Sequence, residues 1–311
     1  MITVKGLTKA KAISDISFTV EDGHLLGIAG AKGTGKSALL DIVSGCADAD
    51  AGSVVIDGTE VATDAPSVKQ LIGYVPQEAP LYRDLTLRAQ LKWLGEARGI
   101  PSRESADKIT GLLELLNLKD VADEPLKSLS KSAKQLANIA QAVFHDPKAV
   151  LIDEPTADLD PADILTLRAA VREIAKDRCV VLATSNLTEL CQLCTEVAIL
   201  DNGKIVSYGT PDKLQDMTVI DNACTLVLKA DAAAAEKAFA GIPGVKLTSC
   251  VEEAGCCRAE ITMDGDKRCD LFNAAAKAAA PIIEFVPAKK SLGELLTSLS
   301  RERKEEGREE E

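Results

Sequence analysis

Alternating apolar and polar residues begin the chain and predict two half-buried strands, over residues 2–7 and 13–20. Short apolar runs predict later strands at 24–30, 51–58, 71–77, 148–154 and 179–185, and a hairpin over 196–209. Apolar residues with helical spacing predict helices at 36–45, 86–98, 103–117, 132–145 and 161–176. Strands that alternate with helices indicate an α/β fold with a mostly parallel sheet, and the two leading strands indicate an added antiparallel part.

The pattern of predicted elements changes after Met217. Strand-like and alanine-rich helical segments follow in the order strand–helix–strand–strand–helix–strand, which is the ferredoxin-like pattern. These segments are 225–230, 231–240, 245–249, 257–263, 269–280 and 282–287. We therefore predict three parts: an α/β domain over 1–217 with a helical subdomain at about 84–145, a small α+β domain over 218–303 that ends in a helix at 291–303, and a charged tail over 304–311.

Composition narrows the classes of protein and partner. The 311 residues are 46% hydrophobic and 27% charged, which is typical of a globular protein. The net charge of −12 argues against a nucleic-acid partner, because such partners require a basic face. No apolar run reaches the roughly 18–20 residues that a membrane-spanning helix needs, and no leader precedes Val4. We therefore expect a soluble, cytosolic protein that reaches a membrane only through a partner.

The nine cysteines form no repeated framework of spacings. Cys250, Cys256, Cys257 and Cys269 cluster in the C-terminal part without a nearby histidine, which argues against a zinc site there. We interpret the cysteines as reduced thiols that pack in the interior of the protein.

The segment GAKGTGKS at residues 30–37 fits the phosphate-binding motif G-x-x-x-x-G-K-[ST], between a predicted strand and a predicted helix. Its glycines allow the loop to wrap closely around phosphates, with the backbone N–H groups of about residues 33–37 pointing inward. The N-terminus of the following helix adds partial positive charge. We expect Lys36 to neutralise the β- and γ-phosphates of a nucleotide and Ser37 to ligate Mg²⁺.

The segment AVLIDEP at residues 149–155 supplies the second half of the predicted site. Its four leading apolar residues predict a buried strand whose C-terminal end carries Asp153 and Glu154. Open α/β sheets bind ligands at this edge. We expect Asp153 to hold Mg²⁺ and Glu154 to polarise an attacking water molecule.

Further motifs follow in order: YVPQEAPLYRDLT at 74–86, LSKSAKQ at 129–135 and TADLDP at 156–161. With the two preceding segments, they make residues 1–217 resemble the nucleotide-binding subunit of ABC transporters, especially bacterial exporters. The segment EFVPAKKSLGELL at 284–296 resembles a C-terminal element that many such exporter subunits carry. The resemblance implies a P-loop NTPase core of the ABC ATPase type with a helical subdomain.

The resemblance also implies a head-to-tail dimer, in which each ATP lies between one subunit's phosphate-binding loop and the other subunit's signature helix. Gln77 matches the glutamine that senses the γ-phosphate, Asp160 matches the D-loop carboxylate, and Ser130 matches the signature serine. The implied partners are an integral membrane permease subunit and a second ATP-binding subunit, identical or different. The permease would contact PLYRDLT and the helices of 86–117, and would hold the chain at the inner face of the cell membrane.

The motifs and the resemblance together assign three groups of residues. Contacts with ATP are expected from Gly30, Ala31, Lys32, Gly33, Thr34, Gly35, Lys36, Ser37, Ala38, Ser130, Ser132 and Asp160. Ligands for Mg²⁺ are expected to be Ser37, Gln77 and Asp153. The expected catalytic residues are Glu154, Gln77 and Ser185.

Four departures from the family pattern weaken the expected site. No aromatic residue precedes Phe18 to stack on adenine, and Ala38 stands where threonine is common. Ser132 occupies a signature glycine, and Ser185 replaces the switch histidine. The loss of one preorganised transition-state donor costs on the order of 2.7–4 kcal/mol.

The sequence therefore predicts an ATP-binding subunit that binds Mg·ATP and hydrolyses it slowly to drive or gate a membrane partner. The alternative is a nucleotide-responsive, catalytically weak or inactive subunit that acts as a regulatory binding module. A cytosolic ABC protein without a transport role is a third possibility, against which the PLYRDLT segment argues.

Overall fold

The computed structural model describes residues 1–63, 65–78, 80–216, 219–253 and 256–289. The predicted helix at 291–303 and the predicted charged tail at 304–311 lie outside the described residues. Among the described residues, the chain divides into two compact units, of which the first comprises Met1–Pro211 and the second begins at Asp212. This division falls ahead of the predicted boundary at residue 217.

The first unit contains two β-sheets within its described residues. Their strands are β1 (Ile2–Lys9), β2 (Ile13–Val20), β3 (Leu25–Ala29), β4 (Ala51–Ile56), β5 (Thr59–Glu60), β6 (Ile72–Val75), β7 (Ala149–Asp153), β8 (Cys179–Thr184), β9 (Glu196–Asp201) and β10 (Lys204–Gly209). The antiparallel sheet has the order β2–β1–β4–β5. The larger sheet has the order β10–β9–β3–β8–β7–β6 and is parallel except for the β9–β10 hairpin. The predicted α/β fold is confirmed.

The central strands of the parallel sheet are buried along their whole length, as their continuous apolar sequences require. One apolar core joins the two sheets and the first helix, with Ile16, Leu40 and Leu151 among its members. Because β3, β8 and β7 are parallel neighbours, their carboxyl ends meet at one edge of the sheet. The residues that follow these three strands therefore share that edge.

Eight α-helices are seen in the described residues up to Asp216. They are α1 (Lys36–Val43), α2 (Ala65–Leu71), α3 (Leu87–Ala97), α4 (Ser102–Leu115), α5 (Lys131–Val143), α6 (Pro161–Ala175), α7 (Leu187–Leu193) and α8 (Pro211–Asp216). Thr86 and Ser130 cap α3 and α5, because each side chain accepts a hydrogen bond from the backbone N–H three residues later. Nowhere in the described part of the chain is a helix both long and apolar enough for a bilayer crossing.

Helices α3, α4 and α5 lie between β6 and β7 in the chain, and α3 packs against both of the others. Their buried faces are mostly apolar, with Leu91, Leu113 and Ile139 almost fully covered. The helical periodicity of the sequence predicts all three. Helices α2 and α8 are too short to have produced such a periodicity, and the sequence analysis did not predict them.

The second unit forms an antiparallel sheet of four strands with the order β12–β13–β11–β14. Its elements are β11 (Val219–Leu228), α9 (Ala232–Phe239), β12 (Val245–Glu253), β13 (Cys256–Met263), α10 (Arg268–Lys277) and β14 (Ile282–Lys289). Both helices contribute to one apolar core with the sheet, through Phe239 and Leu271. The predicted ferredoxin-like order of strands and helices is confirmed.

The prediction that all cysteines are reduced thiols is wrong for one pair. Cys250 on β12 and Cys257 on β13 form a disulfide. The two strands are paired, with Cys250 opposite Ala259 and Cys257 opposite Glu252, so the cysteines are diagonal neighbours across the hairpin. The sequence spacing alone does not reveal this register. The other seven cysteines are free. Cys179, Cys194 and Cys224 are buried, whereas Cys46 and Cys269 are exposed, so the prediction of interior packing is wrong for these two.

Candidate nucleotide-binding site

The loop between β3 and α1 is the centre of the candidate site. Gly33 and Gly35 have φ angles of 86° and 104°, a region that residues with a Cβ atom rarely adopt. A Cβ atom at Gly35 would also lie 2.5 Å from the carbonyl oxygen of Ala12. Helix α1 begins directly after this glycine without a side-chain cap. The first N–H groups of a helix have no intrahelical partner, so they are available to an anion.

The Lys36 side chain lies inside this loop and is only 6% exposed. Its Nζ atom donates hydrogen bonds to the carbonyl oxygens of Gly30 (2.7 Å) and Ala31 (3.0 Å). It also lies 3.4 Å from Oε1 of Glu154. A buried ammonium group is therefore held beside the unpaired N–H groups, where a phosphate chain would meet both.

Asp153 ends β7 at the same edge of the sheet and is 3% exposed. Its Oδ1 atom is buried and has no hydrogen-bond partner among the described residues. Burial raises the pKa of this carboxyl group, although a hydrogen bond with Ser37 opposes the shift. An unsatisfied carboxylate oxygen beside a serine hydroxyl is a donor set that suits Mg²⁺, which prefers oxygen ligands.

Glu154 follows Asp153 with a φ angle of 44°, an unusual conformation for a residue other than glycine. Its Oε2 atom accepts hydrogen bonds from the Thr184 hydroxyl (2.9 Å) and from the Ser185 N–H (3.2 Å). With Lys36 near Oε1, the carboxylate is held on both oxygens. The structure therefore brings Ser185 to Glu154, but through the Ser185 backbone rather than through its side chain.

Other predicted site residues lie outside this hydrogen-bonded group. Gln77 is exposed after β6, and Asp160 is exposed at the start of α6, where its side chain makes no capping bond. Ser130 accepts a hydrogen bond from the Ala133 N–H, and its hydroxyl lies 3.0 Å from the Ser132 hydroxyl. The roles of these four residues stay predictions, since the resemblance assigns most of them to contacts across a dimer.

Lys131, which follows Ser130 in the signature segment LSKSAKQ, makes an ion pair within its own chain. Its Nζ atom donates to Oδ2 of Asp158 at 2.8 Å, and both side chains are exposed. Asp158 belongs to the loop between β7 and α6, with a φ angle of 57°. In this structure the lysine therefore pairs with its own chain's loop.

Two contacts at the site involve residues that sequence reasoning missed. Thr184 holds Glu154, and Thr156 donates a hydrogen bond to Oε2 of the buried Glu189 on α7. Thr184 and Glu189 both lie in the segment ATSNLTE at 183–189, which aligns with the family pattern S-T-H-x-L-x-E, but the sequence analysis assigned a role only to Ser185. The apolar positions around them gave no sign that these polar side chains are buried.

Comparisons with known proteins agree with this geometry. Residues 13–157 match the family model described as ABC transporter. The chain is 30% identical over 211 residues to the linearmycin resistance ATP-binding protein LnrL of Bacillus subtilis, covering 68% of each protein. It is 30% identical over 224 residues to the lipopolysaccharide export system ATP-binding protein LptB of Escherichia coli, covering 69% of this chain and 93% of that protein.

Solved structures give the same result. A structure of an ATP-binding subunit of an ABC transporter is 27% identical, with a TM-score of 0.63 over 70% of this chain and 92% of that one. The cbiO1 structure from Clostridium perfringens has a TM-score of 0.64 at 21% identity, which shows the fold alone. ABC ATP-binding domains bind ATP with Mg²⁺, and their subunits partner with membrane permease components. The chain belongs to the ATP-binding subunits of the ABC transporter family.

Proposed function

We propose that this chain binds Mg·ATP at the loop of residues 30–37 and hydrolyses it to drive a membrane partner. The observation that carries the proposal is the placement of Lys36, Asp153 and Glu154 around one edge of the sheet. Burying these charged groups is costly, because the Lys36 ammonium is almost fully covered and Oδ1 of Asp153 has no hydrogen-bond partner among the described residues. A bound phosphate chain with a metal ion would supply the missing partners.

Binding is assigned first to the phosphate-binding loop. The free N–H groups at the start of α1 and the Lys36 ammonium would neutralise the phosphates. Ser37, Asp153 and Gln77 would hold Mg²⁺, which when bound offsets the charge on the phosphate oxygens and orients them. The affinity is expected to be moderate, because no aromatic residue precedes Phe18 to stack on the base.

Hydrolysis is assigned to Glu154, which would orient the attacking water and accept its proton. The hydroxyl of Thr184 and the N–H of Ser185 fix one carboxylate oxygen, so the other is directed towards Lys36. A serine at position 185 cannot carry the positive charge of the histidine that the family pattern places there. The lost donor is worth on the order of 2.7–4 kcal/mol, so turnover is expected to be slow. The comparisons do not support the alternative of an inactive regulatory module.

The proposed assembly is a head-to-tail dimer of ATP-binding subunits, either a homodimer or a heterodimer. Ser130, Ser132 and Asp160 are exposed or half-exposed, as contacts across such a dimer require. They lie at the start of α5 and α6, where the N–H groups of the helix favour an anion. This assignment makes the site composite, so mixing with a second subunit would change its activity.

The membrane partner is assigned to a surface formed by PLYRDLT and α3. Tyr82 is 53% exposed and Trp93 is 47% exposed, and their rings make an edge-to-face contact at 5.3 Å. Exposed aromatic pairs are typical of protein interfaces. A cavity of about 300 Å³ lies between α3, α5 and β6, and Leu94, Arg98 and His145 are among its lining residues. Binding of a permease subunit to this surface would place the chain at the cytoplasmic face of a membrane.

Two measurements test the proposal. Titration calorimetry of the purified chain should detect binding of Mg·ATP, and a phosphate-release assay should detect turnover, alone or with its permease. Glu154→Gln should retain binding and abolish turnover, whereas Glu21→Gln, at an exposed position on the same unit, should change neither. Binding without any Glu154-dependent turnover would reject the hydrolysis, and no binding at all would reject the whole proposal.

A further inference from the structure

Glu189 is a carboxylate that the proposed chemistry does not use, and it is completely buried. It lies on α7, and its Oε2 atom accepts a hydrogen bond from the Thr156 hydroxyl. Thr156 is itself only 8% exposed. The second oxygen, Oε1, has no hydrogen-bond partner among the described residues.

This carboxylate is costly to bury. Burial raises the pKa of Glu189, and the nearby charge of Glu154 adds to the shift. The Thr156 hydrogen bond and the positive charge of Arg168 on α6 oppose the shift without cancelling it. A leucine would fill an apolar position without this penalty. We therefore explain the buried position of Glu189 by its hydrogen bond with Thr156 rather than by apolar packing.

The contact closes a ring of bonds around Glu154. Thr156 follows Glu154 by two residues, at the start of the loop that leads to Asp160. Glu189 lies in the first turn of α7, and its N–H donates to the side chain of Asn186 at 3.2 Å. The residue before Asn186 is Ser185, whose N–H donates to Glu154. One buried carboxylate therefore joins the two loops that together fix the orientation of Glu154.

We infer that Glu189 is a positioning residue: through Thr156 it fixes the loop over residues 154–160 and thereby the carboxylate of Glu154. Its effect on turnover rests on the proposed function, whereas its effect on the loop does not. Glu189 touches neither the phosphate-binding loop nor the expected metal ligands in the hydrogen bonds described above. Its loss should therefore lower kcat and leave the affinity for Mg·ATP unchanged.

The kinetic test compares Glu189→Ala, Glu189→Gln and Thr156→Val. Alanine and valine remove the hydrogen bond, and kcat should fall about 10- to 100-fold, the equivalent of losing one charge-assisted hydrogen bond. Glutamine keeps an oxygen that accepts from Thr156, so kcat should stay within about threefold of the wild-type value. In all variants, the Kd for Mg·ATP should change by less than about twofold. Thr188→Val, at the exposed neighbouring position on α7, is the matched control and should behave as wild type.

Hydrogen exchange tests the loop independently of turnover. The N–H groups of Ala157 and Leu159 donate within the loop, to the carbonyl oxygens of Glu154 (3.3 Å) and Thr156 (3.2 Å). Both amides should exchange faster in Glu189→Ala and Thr156→Val, while amides of β7 stay unchanged. If Glu189→Ala does not fold, Thr156→Val decides the result.

The outcomes separate the two proposals. If the wild-type chain does not hydrolyse ATP, the proposed function fails, and exchange alone decides whether Glu189 holds the loop. If the wild type is active but Thr156→Val, and Glu189→Ala where it folds, match it in kcat and in loop exchange, the inference is overturned. Loss of kcat in Glu189→Gln as large as in Glu189→Ala would also overturn it, because the hydrogen bond would then not be the cause.

Discussion

His145 provides a quantitative test of the packing between the helical part and the parallel sheet. Its Nε2 atom lies 3.0 Å from the carbonyl oxygen of Ile72, the first residue of β6. Its Nδ1 atom is buried and has no hydrogen-bond partner among the described residues. Burial lowers the pKa of His145 from 6.5 to about 4, and the positive charges of Arg98 and Lys108 contribute to the shift.

The sign of the pH effect follows from the two protonation states. The folded protein keeps the ring neutral, whereas the unfolded chain takes up a proton near the ordinary pKa of 6.5. The contribution of His145 to stability is therefore complete above that pH and is lost as the pH falls towards about 4. Since one pKa unit corresponds to about 1.4 kcal/mol, the full loss amounts to roughly 3 kcal/mol.

The substitution His145→Gln isolates this effect, because glutamine can donate to the Ile72 carbonyl oxygen but does not titrate. Relative to the variant, the wild-type protein should lose roughly 3 kcal/mol of unfolding free energy between neutral pH and about pH 4. Urea unfolding can be followed by the fluorescence of Trp93, the sole tryptophan, which lies in the same unit. His24→Gln, at an exposed position, is the matched control. Parallel pH profiles for the wild type and His145→Gln would refute the reasoning.

Three further predictions concern the site. Asp153→Asn should abolish the additional thermal stabilisation that Mg²⁺ gives over ATP with a chelator; a Mg²⁺-dependent shift that survives would remove Asp153 from the metal site. Gly35→Ala should eliminate nucleotide binding and destabilise the fold, because the φ of 104° and the 2.5 Å approach to the Ala12 carbonyl leave no room for a Cβ atom; wild-type calorimetry in a folded variant would contradict this. The exposed Lys131–Asp158 pair should contribute little to stability, and in a double-mutant cycle with Lys131→Gln and Asp158→Asn any coupling should vanish near about 1 M salt; a coupling that persists at high salt would show that the pair is not solvent-screened.

The parallel sheet and the phosphate-binding loop were predictable because their sequence patterns have one physical solution. A short apolar run followed by a glycine-rich turn and a helix must place the helix N-terminus at the sheet edge. The same reasoning placed Asp153 at the end of β7, next to Ser37. In the segments 30–37 and 149–155, the residues that set the local backbone conformation are also the residues that form the site.

The support for Glu154 was not predictable, because it comes from residues that are distant in sequence. Thr184 and Ser185 meet Glu154 only because β8 pairs with β7 in a register that sets Asp153 opposite Ala183. Register between parallel strands depends on packing of the whole sheet, which no local pattern encodes. The disulfide between Cys250 and Cys257 escaped prediction for the same reason, since it depends on the register of β12 and β13.

The structure changes the effect that we expect from Ser185, which stands where the family pattern has a histidine. The contact that position 185 makes with Glu154 uses the backbone N–H, so replacing the side chain does not remove it. The Thr184 hydroxyl and the Lys36 ammonium hold the same carboxylate from other directions. The carboxylate of Glu154, the proposed general base, is therefore held by contacts that do not depend on the side chain at position 185. If Ser185 is less favourable than a histidine, the difference must arise in the transition state, where charge develops on the transferred phosphate. We therefore expect it to lower kcat rather than nucleotide affinity.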